Sequence, residues 1–141
     1  MSLNPYVRKG KVSAAVGDFG SVTAVSTIAA GTFLQGSSET GITAHAGGTK
    51  AAARALTAQF NRVTVCANAD DSVLLPAAKA GRFVVIMNDG AAAARIFGAG
   101  TDTIDGVATA TGVPLTNAKR AVFICFADGA WISAQLGVVS A

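Results

Sequence analysis

Residues 121–134 read Ala121-Val122-Phe123-Ile124-Cys125-Phe126-Ala127-Asp128-Gly129-Ala130-Trp131-Ile132-Ser133-Ala134. Two short apolar runs, rich in β-branched and aromatic residues, flank an Asp-Gly pair that readily supplies the positive φ a tight reversal needs. The stretch predicts a β-hairpin with strands over 121–127 and 130–134. Working outward, the apolar runs at 72–75, 82–87 and 94–97 have strand length and are bounded by turn residues. Asp89-Gly90, Asp105-Gly106 and Asn117-Ala118-Lys119 supply further turn signals, the last separating Val113-Pro114-Leu115 from the hairpin. Val63 and Val65 alternate with Thr64, which predicts a strand over 62–66, and 68–72 reads as a turn.

The first half carries weaker signals. Residues 21–28 and 32–34 predict two strands, and the polar, Gly-rich text of 35–50 predicts a long loop offered to a partner. Residues 49–58 have helix propensity in Lys50-Ala51-Ala52-Ala53-Arg54, but their place in a strand-rich chain favours a strand. Strands recurring every eight to twelve residues are the spacing of a β-sandwich or barrel. The expected architecture is all-β: a single-domain, jelly-roll-like β-sandwich over 19–141, preceded by an extended basic arm over 1–18.

Composition agrees with a packed domain. The 141 residues are 51% hydrophobic and 13% charged, with mean hydropathy +0.48, which excludes an intrinsically disordered chain. A chain of this length holds a core without metal or disulfide staples. Glu39 is the single Glu, a poor composition for amphipathic helices. The uncharged stretch between Asp18 and Glu39 is broken by Ser21, Thr23, Ser26, Thr27 and Gln35, so no membrane partner is expected. The N-terminal MSLNPYVRKGK lacks the apolar core of a secretory signal. Maturation in a reducing cytosol with Cys66 and Cys125 as free thiols is therefore expected. The net charge of +3 is too small for a nucleic-acid partner. The basic charge that bears on a partner sits in the arm, where Arg8, Lys9 and Lys11 accompany Tyr6 and can lie on an acidic surface.

Catalytic chemistry has little to work with. His45 is the only histidine, and its polar surroundings read as an exposed loop rather than a proton relay. The aspartates fall at turns, where they cap backbone N–H groups. Asp102-Thr103-Ile104-Asp105 lacks the alternating ligands of a calcium loop, and one His with two distant Cys does not make a zinc site. Gly98-Ala99-Gly100 lacks the Lys and the helix of a phosphate-binding loop. Phe123 and Phe126 point to opposite faces of one strand, so they form no base-stacking platform. Trp131 reads either as a sugar-stacking platform or as a core or interface anchor. No enzyme and no cofactor is expected.

Residues 61–65, 72–78 and 81–90, continuing through Arg95-Ile96-Phe97-Gly98, Asp102-Thr103-Ile104-Asp105-Gly106-Val107 and 115–123 to Asp128-Gly129-Ala130-Trp131, resemble a β-module common in tailed-phage structural proteins. The resemblance covers about residues 56–135. Where such a module makes up most of a small chain, it is similar to the capsid cement, or decoration, proteins of tailed phages. Related modules occur in tail fibres and head spikes.

The resemblance implies a jelly-roll or related β-fold. It also implies a place on the capsid exterior of a virion, the major capsid protein as partner, and self-association as a homodimer or homotrimer. The implied role is non-enzymatic stabilisation of the shell. The alternative it leaves open is a fibre or spike module that binds a receptor or carbohydrate. Tyr6, Arg8, Lys9, Lys11 and Trp131 are the expected partner-binding residues, and Phe97, Phe123, Phe126 and Trp131 the expected core or anchor aromatics.

Overall fold

The computed structural model of the chain describes residues 36–137, all within one compact unit, Gln35–Ala141. The expected arm over 1–18 and the expected strands over 21–28 and 32–34 lie outside the described residues. Ten strands run in chain order: β1 Ser38–Thr43, β2 Arg54–Ala55, β3 Phe60–Val65, β4 Ser72–Leu74, β5 Phe83–Asn88, β6 Ala94–Phe97, β7 Thr103–Ile104, β8 Val113–Leu115, β9 Lys119–Ala127 and β10 Ala130–Leu136. A single 3-10 turn, Lys50–Ala52, precedes β2. The described residues are all-β, as expected, and no helix among them is long and apolar enough to cross a membrane.

The strands form a six-stranded sheet, β1-β3-β5-β9-β10-β7, and a four-stranded sheet, β2-β4-β6-β8. From β1 to β6 the chain alternates between the sheets. From β3 on, each of these strands pairs parallel with the one two places earlier: β3 with β1 and β5 with β3 in one sheet, β4 with β2 and β6 with β4 in the other. Five strand pairings are parallel and three antiparallel.

That winding is solenoid-like, and it corrects the jelly-roll expectation, which requires antiparallel Greek-key pairing. The physical reason lies in the turns. Asp89-Gly90 does mark a turn, but it carries the chain across to the other sheet, so β5 and β6 never pair. A turn signal does not say whether the strands it joins share a sheet.

The 121–134 hairpin is present. β9 and β10 pair antiparallel, with Ala127 opposite Ala130, and Gly129 takes φ +83° at the reversal. The register then slips, so that Trp131 stands opposite Cys125 rather than Phe126. β9 also pairs antiparallel with β5, Phe83 opposite Ile124 and Val85 opposite Val122, which joins the hairpin to the wound strands.

Two other expectations change. Residues 35–50 are not all loop, because β1 lies within them and turns Ile42 inward at 2% exposure. Most other β1 positions are polar or Gly and largely exposed, so the segment shows no alternation. Parallel pairing with β3 draws it into the sheet. Residues 49–58 hold the 3-10 turn and the two-residue β2 rather than one strand.

One buried cluster draws on both sheets: Val63, Ile86, Phe123 and Trp131 from the six-stranded sheet, Val73, Ile96 and Leu115 from the four-stranded one. Each fully buried side chain of this size stabilises the fold by roughly 1.5–3 kcal/mol relative to exposure. Asn88, wholly buried at the end of β5, ties the sheets together through its side-chain amide.

Candidate functional site

The inner face of the six-stranded sheet is apolar because it meets the core. The outer face is also largely apolar, which the core does not require. On β3, Phe60 points outward; on β5, Phe83, Val85 and Met87; on β9, Val122, Ile124 and Phe126; on β10, Ile132, Ala134 and Leu136. Phe126 is 71% exposed, Ile132 52% and Phe60 42%. Antiparallel sheets with one solvated face alternate apolar and polar positions. Here β5 reads Phe83-Val84-Val85-Ile86-Met87, apolar on both faces.

Strand register orders these side chains into rows. Phe60, Val85, Val122 and Ala134 form one row, and Phe83, Ile124 and Ile132 a second. A third runs Arg62, Met87, Arg120, Leu136 and puts two cations at one end. Arg62 is paired with Asp89, Nε to Oδ2 at 2.6 Å. The Phe60 and Phe83 rings meet edge to face with centroids 6.2 Å apart. A shallow depression of ≈ 430 Å³ opens between Phe83, Val122, Ile124 and Phe126, with Arg82 also lining it.

The slip in the hairpin decides which aromatic reaches this face. Residues directly opposed across a ladder share a face. Without the slip, Trp131 would stand opposite Phe126 and point outward. With it, Trp131 stands opposite Cys125 and points into the core, at 1% exposure. The expectation that Trp131 stacks on a sugar or binds a partner is corrected accordingly: it is a core residue. Its indole Nε1 has no hydrogen-bond partner among the described residues. Of the four aromatics expected as core or anchor, Phe97, Phe123 and Trp131 are core and Phe126 alone is on the surface. Tyr6, Arg8, Lys9 and Lys11 lie outside the described residues.

The aspartates fasten loops. Asp102 Oδ2 accepts the Ala78 N–H at 2.7 Å. Asp105 accepts from the Ser133 N–H at 2.8 Å and from its hydroxyl at 2.5 Å. Asp128 accepts from Lys79 Nζ at 2.7 Å and the Ala80 N–H at 2.9 Å. These two contacts hold its carboxyl below the ordinary carboxylate range, the lysine bond contributing most. Asp71 Oδ2 accepts the N–H groups of Ala67 and Asn68.

Asp102 and Asp105 thus spend their oxygens on different segments. Among the described residues no group of three His, Cys, Asp or Glu side chains is placed to hold a metal ion. His45 is exposed and joins Ser72 through backbone bonds in both directions, at 2.9 and 2.7 Å. Cys66 and Cys125 are free and buried. Burial, with the Asp71 charge second, pushes the Cys66 thiol up from its ordinary value.

Comparison with known family models, curated proteins and solved structures finds no match.

Proposed function

We propose that this chain is a structural virion protein without catalytic function, a cement protein that binds the outer surface of a phage capsid lattice and stabilises it. Its partners on this reading are the major capsid protein and further copies of itself. The β-module resemblance over about residues 56–135 points to a virion part. The carrying observation is the apolar outer face of the six-stranded sheet, where Phe60, Phe83, Phe126, Ile132 and Leu136 are exposed on neighbouring strands; contiguous apolar surface of this kind marks an interaction site. The finer fold on this reading is a sandwich of two sheets wound as a short solenoid. Modest single-site contacts suffice on a lattice, because many copies bound to one shell act by avidity.

Co-sedimentation of the purified full chain with empty phage shells lacking it tests the reading. Stoichiometric binding that raises the shells' resistance to heat is the expected result. Absence of binding, together with saturable signal on a glycan array, would move the assignment to the fibre or spike alternative. That alternative would need an exposed aromatic other than Trp131, which is buried.

A further inference from the structure

We propose that the outer face of the six-stranded sheet is the seat of a second copy of this chain, the two sheets meeting face to face about a two-fold axis parallel to their strands. The inference deepens the cement reading by naming its self-contact, but it stands on the chemistry of the face alone. Four strands carry the face in the order β3-β5-β9-β10. Rotation about an axis along the strands exchanges β3 with β10 and β5 with β9 while keeping the rows level. The face must then complement its own mirror order across the sheet, and three features fit that demand.

The first is volume. Phe60 lies opposite Ala134 of the second copy, a large side chain over a small one, and Val85 lies opposite Val122. Phe83 lies opposite Ile124, where the ≈ 430 Å³ depression beside Phe126 is open to receive its ring. The bulky pair Phe60 and Phe83 is on the β3–β5 side, and the small Ala134 is on β10.

The second is charge. The third row holds two arginines, and a symmetric contact that placed them face to face would be repelled. The exchange sets Arg62 over Leu136 and Arg120 over Met87, so each cation meets an apolar side chain. Their aliphatic stems cover that surface while the guanidinium groups reach solvent at the rim. Arg62 keeps its Asp89 partner there. A polyanionic partner fits poorly, because the centre of the face, from Val85 to Ile132, carries no charge.

The third is area. Four strands about 4.8 Å apart and six residues long at about 3.3 Å each span roughly 400 Å². A standard interface buries about 800 Å² on each partner. The pair should therefore associate reversibly, with a dissociation constant in the micromolar range, rather than as a permanent dimer.

Sedimentation velocity of the full chain, from about 1 to 200 µM to bracket a micromolar constant, tests the proposal without any shell present. A monomer–dimer equilibrium is expected, weakened at least tenfold by Ile132→Lys and by Ala134→Glu. Both positions are exposed, so neither change should disturb the fold, and the buried Trp131 emission checks this. The double variant Phe60→Cys/Ala134→Cys should yield cross-linked dimer with a short bis-maleimide, since the exchange apposes those positions.

A monomer at every concentration overturns the proposal, whether residues 1–35 or a capsid subunit covers the face instead. An oligomer indifferent to both substitutions also overturns it, and a trimer overturns the two-fold pairing. A monomer that still binds shells leaves the cement reading standing, whereas a dimer of the expected kind that ignores shells supports the pairing and defeats that reading.

Discussion

The side-chain amide of Asn88 donates to the backbone carbonyl of Leu115 at 2.9 Å, joining the end of β5 in one sheet to β8 in the other. The same amide donates to Ala92 O at 2.9 Å, and Asn88 Oδ1 accepts the Gly90 N–H at 3.0 Å. One wholly buried side chain thus satisfies three backbone groups of the corner between β5 and β6, and of β8. Asn88→Ala should lower stability by about 3 kcal/mol, because it strands buried backbone partners as well as removing bonds. Urea denaturation followed by emission of Trp131, the sole tryptophan, measures this. A loss under about 1 kcal/mol would show that water replaces the amide.

Gly90 and Gly129 should respond to alanine differently. A Cβ on Gly90 would stand 2.5 Å from the Cys66 amide nitrogen and 2.9 Å from its Cα, so backbone must move. A Cβ on Gly129 meets only Asp102 Oδ1, at 3.9 Å, but sits at φ +83°. Gly129→Ala should cost roughly 1–2 kcal/mol, the left-handed strain alone, and Gly90→Ala about 3 kcal/mol or more, through overpacking. Thermal melts of the two variants rank them, and equal losses would be inconsistent with the close approach at Cys66.

The contact between Lys79 and Asp128 sets a pH window. Asp128 is lowered from its ordinary 3.8, so its contribution is complete above that value and is lost as pH falls through the lower folded one. Lys79 is raised from 10.5, by its bond to Asp128 first. Its contribution is complete below 10.5 and is lost as pH rises through the higher folded value. Both side chains are exposed, so the effect is local and weakens with salt. The protection factor of the Ala80 amide, taken relative to the intrinsic exchange rate at each pH, should hold across the window and fall in acid. Asp128→Asn should flatten the acid response, and an Asp128 carboxyl titrating at its ordinary value would refute the assignment.

Neither thiol should react in the native protein. Cys66 and Cys125 are each 1% exposed, and burial raises the Cys66 thiol further from its reactive thiolate. Labelling by a thiol reagent should release two equivalents in denaturant and proceed without it only at the rate of unfolding. A fast equivalent under native conditions would place one cysteine at the surface.

What could be read from residues alone follows from how local each signal is. The 121–134 hairpin is legible because Asp128-Gly129 and its flanking runs lie within one short stretch. β1 is not, because Ile42 finds Val63 through a parallel pairing that leaves no mark in Thr40-Gly41-Ile42-Thr43. The winding of β1 to β6 is hidden for the same reason, since a turn residue fixes a local φ and not the sheet in which the next strand lands. The apolar outer face left a trace in the unbroken run Phe83-Val84-Val85-Ile86-Met87. Trp131 was unreadable because a one-residue slip at Phe126 decides its side of the sheet, and alternation counted along the sequence carries no record of slips.

The pairing of β5 with β9 has a consequence for synthesis. A chain leaving the ribosome from its N-terminus can wind β1 to β6 coil by coil, each strand docking on one already made. β5 then waits with one edge unpaired until the residues of β9 that face it, Ile124 and Val122 among them, emerge. Completion of the larger sheet is thereby tied to near-completion of the chain. Polypeptides truncated before residue 119 should be the sticky ones, exposing an open strand edge to other chains.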